Sequence, residues 1–131
     1  GRALPLARVA SGGELSRMML VLKQIIAERD AVSTLVFDEV DSGISGRVAA
    51  AVGRRLAVLA SSRQTLVITH LPQIAGVGRH HLSVRKSDRG DRTVTEVTPL
   101  DAEARAEEIA SLLAGDTVSD AARRQAQEML R

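Results

Sequence analysis

The run Leu35-Val36-Phe37-Asp38-Glu39-Val40-Asp41-Ser42-Gly43-Ile44-Ser45-Gly46 decides how this chain is read. Counting from Val32, its first half is a continuous apolar strand through Phe37, the pattern of an inner parallel strand covered on both faces. Two adjacent carboxylates end the strand, and a loop bracketed by glycines follows. Beyond the loop, Val48, Val52, Leu56 and Leu59 repeat at helical spacing, which predicts a helix over 46–60 with Ser45 as its cap. Thr65-Leu66-Val67-Ile68-Thr69 is then a second apolar strand, so strand, helix and strand make a βαβ unit.

Outward from this unit the pattern continues on both sides. Leu15, Met19, Leu22 and Ile26, with Met18, Leu20, Val21 and Ile25 between them, predict a helix from Glu14 that is apolar around most of its circumference and largely buried. Residues 82–85 and 94–97 alternate apolar with polar and flank a polar tip over 87–92, the signature of a hairpin. Asp101 can cap a helix carrying Ala102, Ala106, Ile109 and Leu113 on one face, and Gly115 stands where that helix stops. A last helix is expected from Thr117, with Val118, Ala122, Ala126, Met129 and Leu130 inward. No internal repeat or second domain is evident.

Composition narrows the function. The 131 residues are 44% hydrophobic and 26% charged, as in a soluble globular unit. No apolar run approaches the roughly 18 residues of a membrane span, so no membrane partner is expected. The absence of cysteine excludes disulfide frameworks and thiol nucleophiles, and fits a cytoplasmic setting. Gly1-Arg2-Ala3-Leu4-Pro5 has neither an initiator Met nor a signal-peptide layout and reads as the interior of a longer protein. The net charge of +2 is too small to argue a nucleic-acid footprint from the total. Residues 79–92 carry a local +3 and residues 101–131 a local −3, both readable as solvated surface. Phe37 is the one aromatic residue, too few for base stacking on single strands.

Four short segments carry the candidate chemistry, at strand ends and at the mouth of the first helix, where open α/β sheets bind ligands. Ser11-Gly12-Gly13-Glu14 offers a hydroxyl, two positions without a side chain and helix N–H groups to an anion, although the same residues also make an ordinary helix start. Asp38 and Glu39 point to opposite faces and cannot do the same job: one can hold Mg²⁺ and the other polarise a water. Asp41 opens the glycine-bracketed loop. His70 follows the second strand directly and can donate to a phosphate oxygen. His80 and His81 have no partner at metal-ligand spacing and are taken as surface residues.

Taken together these segments resemble the second half of an ABC-type ATPase head: Ser11-Gly12-Gly13-Glu14 the signature motif, Leu35 to Glu39 the Walker B strand, Asp41 the D-loop and His70 the switch histidine. More narrowly, Val9 to Arg17, Phe37 to Gly46 and Thr69-His70-Leu71-Pro72-Gln73-Ile74-Ala75 are similar to the RecN family, bacterial SMC-like ATPases of DNA double-strand-break repair. The fold so implied is the C-terminal part of a P-loop ATPase head, with parallel βαβ strands, flanking helices, a hairpin and two C-terminal helices. The resemblance implies ATP and Mg²⁺ as cofactors. Asp38 would place the metal, Glu39 would activate water, His70 would contact the γ-phosphate, and Asp41 would couple two sites across an interface.

The implied partners are an N-terminal head segment carrying Walker A, a second head in an ATP-dependent homodimer, and DNA through the full assembly in the bacterial nucleoid. No Gly-x-x-x-x-Gly-Lys-Ser/Thr occurs, the two lysines being Lys23 and Lys86, and no heptad arm is present. The 131 residues alone are therefore expected to be inactive. Two other classes compete. One is a non-catalytic docking or dimerisation module; the other is a metal-dependent hydrolase built on Asp38, Glu39, Asp41 and His70.

Overall fold

The computed structural model describes residues 20–22, 33–38, 40–41, 43–44 and 46–131. They divide into two compact units, within 1–77 and 78–131. The sequence pattern shows no such boundary. It arises because the contacts beyond residue 77 are local: the two hairpin strands pair with each other, and the last two helices pack on each other through their own buried residues Ile109, Ala110, Ala122 and Ala126.

In the first unit, strand β1 (Thr34–Asp38) pairs in parallel with β2 (Gln64–Ile68), and helix α1 (Gly46–Ala60) connects them. The βαβ unit is as expected, and the register sets Phe37 beside Val67 and Asp38 beside Ile68. Leu35 and Phe37 are buried with Val52, Leu56 and Leu59 of α1 and with Leu20, whose segment 20–22 is helical. Burial around most of the first helix holds for Leu20 but not for Val21 and Leu22, which are 40% and 46% exposed.

Among the described residues the expected two-sided cover of β1 is also not found. Its burial alternates, and Val36 shares an open face with Leu66 and Ile68, at 50%, 47% and 58% exposure. An apolar run shows that a strand can be covered on both sides; neighbouring segments decide whether it is.

A four-residue helix, α2 (Pro72–Ala75), follows β2 and packs on α1. It was not anticipated from the sequence, although Pro72 at its first position is a helix-start signal. Gly53 lies at the α1–α2 contact, where a Cβ would sit 2.8 Å from the Gln73 carbonyl oxygen.

In the second unit β3 (Leu82–Arg89) and β4 (Arg92–Pro99) form the expected antiparallel hairpin, with strands longer than read and a turn of two residues, Gly90-Asp91. Helix α3 (Ala102–Ala114) is capped by Asp101, whose carboxylate accepts the Ala104 N–H at 2.8 Å, and it ends at Gly115 as predicted. Helix α4 (Asp120–Met129) begins three residues later than expected, because the Ser119 side chain accepts the Ala122 N–H and sets the start there. Arg123 of α4 pairs with Glu107 of α3 at 3.1 Å. No helix of the described residues is long and apolar enough to cross a membrane.

Candidate nucleotide-site loops

Parallel pairing brings the ends of β1 and β2 side by side, so the loops leaving them meet. Asp38 ends β1 with its side chain exposed. Val40 and Ile44, each 8% exposed, anchor the following loop in the core, and the Ile44 N–H donates to the Asp41 carbonyl at 3.3 Å. Gly43 and Gly46 take positive φ angles of 71° and 54°, which lets the loop turn into α1 without steric cost.

Asp41 is the one buried charged side chain among the described residues, at 7% exposure. Its Oδ2 accepts from the Thr69 hydroxyl at 2.7 Å and from the His70 backbone N–H at 2.8 Å, and it lies 2.9 Å from His70 Nδ1. Thr69 Oγ1 in turn accepts the Leu71 N–H at 3.1 Å. Burial pushes the Asp41 carboxyl up, but the His70 N–H and the Thr69 hydroxyl outweigh it, and the group is held below the usual carboxylate range. The His70 side chain is 76% exposed. Its Nδ1 edge is therefore fixed by a buried carboxylate while most of the ring faces outward, an arrangement that suits contact with an anion.

Of the residues singled out from sequence, the structure brings Asp38, Asp41 and His70 to one end of the parallel pair. Ser11, Gly12, Gly13, Glu14 and Glu39, with the Ser45 cap, lie outside the described residues. Thr69 has no assigned role in the sequence reading, where its signals are its place between an apolar strand and a histidine and its position at the head of the Thr69–Ala75 segment.

No group of three metal-ligating side chains occurs among the described residues. Asp41 is committed to Thr69 and His70, which weakens the reading of a self-contained metal hydrolase. Asp38 alone, an exposed strand-end carboxylate, would supply one oxygen ligand to a hard divalent cation. In the second unit, Arg79, His81, Leu100, Asp101 and Arg105 line a cavity of about 430 Å³. His81 is half-buried there rather than on the surface, and burial, together with Arg105, lowers its pKa against the opposing pull of Glu108.

No protein-family model matches the chain. It is 48% identical over 126 residues to the DNA repair protein RecN of Vibrio cholerae, covering 96% of this chain and 23% of that protein. Against RecN of Streptomyces coelicolor it is 47% identical over 128 residues, covering 98% of this chain and 22% of the relative. With RecN of Bacillus subtilis it shares 44% over 126 residues, at 96% and 22% coverage. The chain thus spans about a fifth of the length of the curated relatives it matches. In fold it matches a solved chain from work on ATP-driven dimerisation and DNA-stimulated activation of SMC ATPases, with a TM-score of 0.65 and 19% identity over 89% of this chain and 70% of that one.

Proposed function

From a chain that belongs with the RecN family along nearly its whole length, we propose that it is the C-terminal segment of the head of an SMC-like ATPase acting in double-strand-break repair by recombination. The parent would work in the bacterial cytoplasm, at the nucleoid. The Asp41–His70 link carries this reading, because it joins the strand that ends in Asp38 to the strand that precedes the histidine.

In this reading ATP is held on the Walker A loop of the N-terminal head segment and closed over by Ser11-Gly12-Gly13-Glu14 of a second head. Bound Mg²⁺ would screen the phosphate charge, with Asp38 holding it. Glu39 would take a proton from the attacking water. His70, held at Nδ1 by Asp41, would present its other ring nitrogen to the γ-phosphate. Asp41 serves the histidine of its own chain, so coupling between the two sites would run through the loop it anchors. Hydrolysis would reopen the heads and release the tethered DNA.

Sizing of the intact parent with and without ATP tests this. Glu39→Gln should bind ATP, hydrolyse it at least roughly 100-fold more slowly and accumulate as a dimer, since the amide keeps the shape but cannot act as base. Ser11→Arg should bind ATP and remain monomeric. Wild-type turnover in the first variant, or an ATP-induced dimer in the second, would overturn the composite site. A second reading, a docking module without catalysis of its own, draws on the open apolar face of Val36, Leu66 and Ile68. It expects both variants to behave as wild type.

A further inference from the structure

The small net charge of the whole chain conceals a strong segregation. Between Asp41 and Asp88 there is no Asp or Glu at all, while seven Lys and Arg residues fall in that stretch. Three of them, Arg47, Arg54 and Arg55, belong to α1, which contains no acidic residue.

All three are exposed, because the core takes the opposite side of the helix through Ala49, Val52, Gly53, Leu56 and Leu59. At about 100° and 1.5 Å per residue, Arg47 and Arg54 stand within roughly 20° of one line and about 10 Å apart, with Arg55 about 80° round from Arg47. Ala51 lies between them, so no bulky side chain blocks close approach along that line. None of the three has an ion pair among the described residues, whereas Arg85, Arg89, Arg123 and Arg131 all do.

We propose that this face of α1 is a contact surface for the phosphodiester backbone of duplex DNA. The identity of the polyanion rests on the repair-ATPase reading; the surface itself rests on charge and exposure. Duplex is favoured over single strand because Phe37, the only aromatic residue, is 2% exposed and offers no stacking platform. An anionic membrane is disfavoured because the apolar stripe of α1 is spent on the core, leaving Val58 as the one large apolar side chain exposed on the helix, too little to enter a bilayer surface. Contacts of this kind set position and affinity without reading sequence.

The test is duplex binding by the intact parent, followed by fluorescence anisotropy across a salt series. In the triple variant Arg47→Gln, Arg54→Gln, Arg55→Gln, the slope of log affinity against log salt should shrink by about 2.7, at about 0.9 per phosphate contact, and affinity near 0.1 M salt should fall at least roughly tenfold. The triple Arg→Lys variant should keep the slope. Should the triple glutamine variant fail to fold, Arg54→Gln alone is expected to shrink the slope by about 0.9. An unchanged slope would overturn the proposal. So would a wild-type parent that binds no duplex, or arginine-dependent binding to phosphatidylserine vesicles in place of DNA. ATP turnover without DNA, measured on the same proteins, keeps the two readings apart: a parent that binds duplex through these arginines but never hydrolyses ATP sinks the ATPase and leaves this surface standing.

Discussion

Asp41 is tolerated in a buried position because its charge is met by donors: a hydroxyl, a backbone N–H and an imidazole edge. Asp41→Asn should cost about 1.5–3 kcal/mol, the range for hydrogen bonds to a charged group. The cost should also depend on pH in a defined direction. The carboxyl is held low in the folded state, so its stabilisation is complete above the ordinary aspartate value of about 3.9 and disappears as pH falls through the lower folded value. Urea melts of wild type and variant should therefore differ most at neutral pH and converge in strong acid. A difference that grew on acidification would mean that Asp41 is not ionised in the fold. Asp38, Asp41 and His70 were legible as candidates because each stands at a strand end or a glycine-bracketed loop. That Asp41 holds His70 was not legible, since it depends on a parallel register joining residues 28 and 29 positions apart.

At the scale of the element, the contact of α1 with α2 is set by Gly53. A helix interior ordinarily gains about 0.5–1 kcal/mol when alanine replaces glycine. Here the new methyl would meet the Gln73 carbonyl oxygen at 2.8 Å, a backbone atom that cannot rotate away. Gly53→Ala should consequently destabilise by roughly 1–3 kcal/mol, as overpacking does. It should also disturb the segment after His70, because α2 begins at Pro72. A lowered melting temperature with shifted His70 ring resonances would match this, whereas a stabilised protein would show that α2 yields without strain. The hydrophobic period was enough to find α1, β2, α3 and the hairpin, since each has a one-sided stripe or strict alternation. It failed for α2, whose four residues are too few to show any period. It misjudged the cover of β1, because an apolar run carries no information about which neighbour arrives.

For the molecule as a whole, the proposed reading, in which the phosphate cradle lies on another segment, expects these 131 residues to bind no nucleotide by themselves. A helix N-terminus contributes about 1 kcal/mol towards an anion, while micromolar affinity needs roughly 8 kcal/mol. Calorimetry of the 131-residue chain with Mg-ATP should give no saturable heat at micromolar concentration. Micromolar binding would show that the phosphate cradle is not needed. The open face of Val36, Leu66 and Ile68 bears on a different property. Contiguous exposed aliphatic side chains make a protein prone to associate with itself. Solubility thus becomes a titration of what covers that face: cloudiness on concentrating the chain alone, cleared by the polypeptide that packs there, would identify its neighbour without any assay of nucleotide.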